Sequence, residues 1–104
     1  MPAAKALSTS FQSAFKTDMQ GFGLMGYDSA KVVLQGILNA YKAAGNKVPT
    51  RTQVESAVRT GTFNLVTGQV KFDKNGDRQT AKMYVIAVKN GARSTAGTVN
   101  VVRQ

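Results

Sequence analysis

The sequence predicts an α/β fold in which three helices are followed by a small β-sheet and a hairpin. Three observations lead there. Apolar residues recur at helical spacing as far as Gly61, the period changes to two after it, and Asn90-Gly91 separates two strand-like runs with a strong hairpin turn. With 104 residues the protein is at most one modest domain, and 42% hydrophobic residues place it in the globular range.

Residues 3–18 read as the first helix. Leu7, Phe11, Ala14 and Phe15 recur at steps of three and four, while Lys5, Gln12 and Lys16 fall elsewhere. This helix is expected to stop near Met19-Gln20-Gly21. A second helix is expected over 27–44. Its polar residues Asp28, Lys31, Gln35, Asn39 and Lys42 form one narrow stripe, and Val32, Val33, Leu34, Ile37, Leu38 and Tyr41 surround it. A surface helix needs an apolar face only somewhat wider than about 100°, so this one expects protein on two sides. Asp28 suits the positive end of the helix dipole, and Gly45 suits a left-handed stop.

The third helix is announced by Thr50-Arg51-Thr52-Gln53, which has the spacing of a capping box, with Pro49 just before it. Val54, Ala57 and Val58 make its buried side, and Gly61 ends it. Beyond Gly61, Val70 and Phe72 alternate with Gln69, Lys71 and Asp73 as in a half-buried strand. Residues 83–88 (MYVIAV) form a nearly continuous apolar run, expected to be a strand covered on both faces. Residues 98–102 are long enough to return as its hairpin partner.

Composition removes much chemistry. The sequence has no cysteine and no histidine, which excludes disulfides, thiol nucleophiles, imidazole ligands and a Ser-His-Asp triad. Five acids stand scattered at 18, 28, 55, 73 and 77 with no partner base, so catalysis is not expected, and neither a metal nor a cofactor is implied. The formal charge is +9, from 14 Lys and Arg against 5 acids. The cations are spaced almost evenly, with no run of three, whereas a nucleic-acid module concentrates them and adds stacking aromatics. A small basic module for nucleic acid or an anionic surface is therefore the alternative reading, and an interaction domain with an apolar helix facing a partner is a third. MPAAKALSTS lacks the apolar core of a signal peptide, and no stretch approaches a membrane span.

The stretch GFGLMGYDSAKVV, residues 21–33, begins with the G-x-G-x-x-G spacing of a dinucleotide-binding turn. Such a turn needs a buried strand before it and an acid about 20 residues on. Here FQSAFKTDMQ precedes Gly21 and YKAAGN lies downstream, so both requirements fail. Asp73-Lys74-Asn75-Gly76-Asp77 is likewise calcium-like only at first sight. Its glycine is fourth rather than sixth, and a tight turn between strands fits better.

The order of these motifs resembles a known family. FQSAFKTDM, then GYDSAKVVLQGILNAYKAAGNK, then TQVESAVRTGTFNLVTGQVKFDKNGDRQTAKMYVIAVKNG is similar to the C-terminal part of an ABC-transporter solute-binding protein. The kind is the leucine/isoleucine/valine-binding one with the type I periplasmic fold. The most specific pieces are Tyr27-Asp28-Ser29-Ala30 opening a long helix and the run from Thr67 to Asp77.

The resemblance implies two lobes joined by three crossovers, with a branched-chain or other apolar amino acid clamped between them. Residues 1–82 would be the last segment of the first lobe, and residues 83–104 the crossover strand and hairpin returning to the second. It implies an ABC permease as partner and a periplasmic or cell-surface location for the whole protein, whose export signal and whose groups for the ligand's α-carboxylate and α-ammonium would lie upstream of Met1. The glycines 21–26 would shape a loop reaching the cleft. Phe22 matches the position of a residue that meets the ligand's side chain, with simple packing the alternative. Because the family's sheet is largely absent from these 104 residues, they are expected to form a homo-oligomer through Val33, Ile37 and residues 83–88.

Overall fold

The structure, a computed structural model, describes residues 2–102; the last two residues of the expected 83–104 segment lie outside the described residues, as does Met1. Three helices come first: α1 (Pro2–Phe15), α2 (Gly23–Ala43) and α3 (Arg51–Thr60). Four strands follow: β1 (Thr62–Leu65), β2 (Gly68–Lys71), β3 (Thr80–Lys89) and β4 (Ala92–Val102). They make two separate antiparallel pairs, β1 with β2 and β3 with β4. The expected α/β class and element order are therefore present.

Several boundaries differ from expectation, each for a physical reason. α1 ends at Phe15 rather than 18, because Lys16 turns to φ 57 while its N–H still donates to Gln12 O at 2.7 Å. α2 begins at Gly23, four residues before the expected start, so Gly23 and Gly26 are helical and only Gly21 and Phe22 form a turn. The expected cleft loop over 21–26 is thus mostly the first turn of a helix. Glycine is a weak helix former, not an excluded one, and packing outweighs a cost of about 1 kcal/mol per residue.

Local signals hold where they were strongest. Thr50 Oγ1 accepts from Gln53 N at 3.2 Å and Gln53 Oε1 accepts from Thr50 N at 2.8 Å, closing the capping box of α3. At the end of α2, Asn46 N donates to Tyr41 O and Gly45 N to Lys42 O, with Gly45 at φ 71. That is the paired-bond stop which a left-handed residue permits. Asn90 and Gly91 both have positive φ, 53 and 75, as the tight hairpin turn between β3 and β4 demands. The pairing skips Ala96, which forms a bulge opposite Val85 and Ile86.

The core is small. Among the described residues, Val32, Ala40, Phe63 and Val70 are its buried apolar members, and the Phe63 ring leans on Phe72 at 6.4 Å between centroids. α2 contributes its buried residues at 28, 32, 36 and 40, one line at steps of four, and packs against α3 and β1. Gly36 sits where the helices meet: a Cβ there would come within 2.5 Å of Val58 Cγ2.

The rest of the apolar surface is open. Residues 83–88 are not covered on either face: Met83 and Val85 point to one side of the ribbon, Tyr84, Ile86 and Val88 to the other, and all five are exposed. Val33, Leu34, Ile37 and Leu38 of α2 are exposed too. The radius of gyration is 16.9 Å, against about 13 Å for a compact protein of this length. The accessible surface is 8143 Å², against about 5,700 Å² for a compact monomer of this mass.

Two glycines of α2 separate packing from propensity. Gly36→Ala is expected to lower stability by about 1 kcal/mol, because overpacking of about 1–3 kcal/mol exceeds the propensity gain of about 1 kcal/mol. A Cβ added at Gly26 would meet nothing within 4 Å, so Gly26→Ala gains helix propensity without a clash. Thermal melting of the two variants decides the point. A Gly36→Ala protein melting as high as Gly26→Ala would remove the close α2–α3 contact from the account.

Candidate ligand-cleft surface

The side chain that organises this surface is Asp28. Its place in the polar stripe and near the helix start suggests a solvent-facing group serving the dipole. Instead it is buried, 4% exposed, and accepts three hydrogen bonds from the loop between β1 and β2. Val66 N donates to Oδ1 at 3.0 Å, Thr67 N to Oδ2 at 3.0 Å, and Thr67 Oγ1 to Oδ2 at 2.5 Å. A buried carboxylate is costly unless donors surround it, and charge-assisted bonds of this kind are the strong ones. The clamp joins residues 38 and 39 positions apart, so no local pattern could have revealed it.

Around the clamp, α2 and the β1–β2 hairpin enclose an open concavity of about 400 Å³. Met25, Val32, Val33, Leu65, Val70 and Phe72 give it apolar walls. Ser29, Thr67 and Arg78 stand at its polar edge, with Asp28 at the base. Ser29 Oγ donates to Met25 O, and Thr67 is engaged by Asp28. Among the described residues, Arg78 is the one cation of this lining.

Phe22 is not among the residues that line this concavity. It occupies the N-cap position of α2, after Gly21 at φ 54, and the residue is 81% exposed. Its carbonyl accepts from Gly26 N at 2.9 Å, which ties the turn to the helix. The element before the glycines is helix α1, not the strand that a phosphate-binding turn requires. Gly23 has a packing reason: a Cβ there would collide with Met19 Cγ.

The other candidate sites resolve simply. Asp73 Oδ1 accepts from Asn75 N at 2.8 Å and Asp77 N at 3.0 Å, and Gly76 N donates to Asp73 O, so the calcium-like run is a turn closed on itself. Among the described residues, no group of three or more acids forms a candidate metal site. Described cations occur in or beside every element except β1, so no single element concentrates them. Among the described residues, no helix is long and apolar enough to cross a membrane.

Comparison with known proteins bears on this geometry. A family model described as periplasmic binding protein matches residues 1–93. A crystal structure of a leucine-binding protein from Thermotoga maritima superposes with a TM-score of 0.70 at 25% identity, over 95% of this protein and 27% of its own length. A solute-binding protein of an ABC transporter from R. palustris, solved with benzoate, gives 0.68 at 22% identity, over 96% of this protein and 27% of its own length. These 104 residues therefore span about a quarter of the length of either relative. No curated protein sequence matches them.

Replacing Asp28 tests the clamp directly. Asp28→Asn keeps the shape but loses the charge and one acceptor, and is expected to cost about 2 kcal/mol. Amide hydrogen exchange at Val66 and Thr67 is expected to rise with it. Unchanged exchange at both amides would show that the hairpin holds its place on α2 without Asp28.

Proposed function

The protein belongs to the periplasmic binding protein family, and from that premise we propose that it serves in a solute-binding protein of an ABC transporter. The solute is an amino acid with a branched or otherwise apolar side chain, held between two lobes without any bond being made or broken. Residues 1–82 belong to the end of the first lobe, and residues 83–104 cross to the second. The whole protein works in the periplasm or at the cell surface and delivers its ligand to a membrane permease. The observation that carries this reading is the family match over residues 1–93, which takes in all three helices and reaches into β4. The likeness to a leucine-binding protein over 95% of these residues supports the choice of solute.

Phe22 is the residue we assign to the ligand's apolar side chain. Its exposed ring at the start of α2 is available for contact, and closure of two lobes would bury it. In the two-lobed protein, Phe22→Ala is expected to weaken leucine binding by about 1–3 kcal/mol, the scale of a buried apolar contact. Melting of the ligand-free protein should hardly move, since the ring packs on little in this structure. Calorimetric titration with unchanged affinity would remove Phe22 from the site.

On their own, the 104 residues present apolar faces on α2 and β3 that a second copy can cover. We propose a dimer or higher oligomer with Val33, Ile37 and residues 83–88 in the interface. Light scattering at micromolar concentration is expected to give at least twice the monomer mass, and Ile37→Glu to reduce it. A cooperatively melting monomer would sink the proposal, leaving the assignment of the solute untouched.

A further inference from the structure

Two Lys-Asn-Gly sequences occur, at 74–76 and 89–91, and the structure sets them in opposite circumstances. Asparagine before glycine is the pairing most open to intramolecular attack, because glycine has no side chain to shield its amide nitrogen. We propose that Asn90 is a site of spontaneous deamidation in this protein, and that the fold protects Asn75 from the same reaction.

The reaction needs no cofactor. Loss of the Gly91 amide proton to solvent base leaves the nitrogen free to attack Cγ of Asn90. A new C–N bond forms, the bond from Cγ to Nδ2 breaks, and the departing nitrogen takes a proton from water to leave as ammonia. The cyclic imide that results is opened by water at either carbonyl. One product is aspartate, and the other is isoaspartate, in which the backbone runs through the former side chain.

Three differences direct this reaction to Asn90. The first is the nucleophile. Gly76 N–H donates to Asp73 O at 3.0 Å, whereas Gly91 N–H has no backbone acceptor among the described residues. The second is freedom to move. The 73–77 turn is closed by Asp73 N donating to Asp77 O, by Asn75 N and Asp77 N donating to Asp73 Oδ1, and by Arg59 Nη1 reaching Lys74 O at 3.2 Å. Both Asn-Gly pairs are exposed, but the tip of the β3–β4 ribbon has only its ladder behind it. A two-stranded ribbon without further packing is only marginally stable, so its turn can open locally at low cost. The third is charge. Both asparagines have a lysine just before them and an arginine three residues after, so the difference lies in Asp73 and Asp77, whose carboxylates beside Asn75 disfavour an anionic nitrogen there.

The consequence falls on the hairpin. Either product lowers the net charge by one, and isoaspartate adds a backbone atom to a two-residue turn whose geometry sets the Lys89–Ala92 register. The folded protein, held in mildly alkaline buffer and digested with trypsin, yields separate tetrapeptides for 75–78 and 90–93 that mass spectrometry reads independently. Conversion at Asn90 is expected to be severalfold faster than at Asn75 in the folded protein, and nearly equal in denaturant, where both sit in the same Lys-Asn-Gly context. Asp73→Ala is expected to raise the rate at Asn75 towards that of Asn90. Equal rates in the folded protein, or faster conversion at Asn75, would overturn the proposal.

Discussion

The buried carboxylate of Asp28 sets the arrangement of everything between α2 and Phe72. With 4% of the residue exposed, its charge is tolerable only while Val66 N, Thr67 N and Thr67 Oγ1 all point at it. Three directed bonds allow little rotation of α2 about its own axis. Once Asp28 faces the β1–β2 loop, Val32, Gly36 and Ala40 must follow along the same inclined row. Gly36 then meets Val58 of α3, and Phe63 and Val70 fill the space beneath. The small core is a consequence of one ionic anchor and one missing side chain.

The same geometry explains what stays uncovered. A helix fixed along the 28–40 row turns Val33, Leu34, Ile37 and Leu38 outward, and the β3–β4 ribbon lies beyond the reach of the core. The surface in excess of a compact monomer is about 2,500 Å², several times the roughly 800 Å² that one partner gives up in an ordinary interface. An area that large belongs to a core rather than to a transient contact. It agrees with a sequence that aligns to 27% of each relative's length.

What the sequence made legible follows the range of the interactions. The capping box at Thr50, the stop at Gly45 and the turn at Asn90 rest on bonds spanning a few residues, and each was readable from its own neighbourhood. The start of α2 was misplaced because the glycines at 23 and 26 argue against helix by propensity, whereas the reason for glycine at 23, a Cβ there that would collide with Met19, is a steric detail that residue spacing does not display. β1 was missed because TFNL is short and half polar, and becomes a strand only when Phe63 faces Val70 across the hairpin. The role of Asp28 depended on partners 38 and 39 residues away. The concavity lined by Met25, Phe72 and Arg78 was illegible for the same reason, since it brings α2 together with residues 65–78, far along the sequence.

The openness of that concavity also limits what this surface can do by itself. A small-molecule site normally buries most of its ligand and sets a few convergent polar groups against it. Here the walls are apolar, Asp28 is committed to the loop, and Arg78 is the one cation of the lining among the described residues. Phe22 lies outside this lining, at the head of α2. If the ligand is an amino acid, as proposed, this open wall has, among the described residues, no set of groups for both of its charged ends. Selective capture therefore needs a second wall carrying those groups, which is the physical reason that the two-lobed reading fits these residues better than a self-contained site.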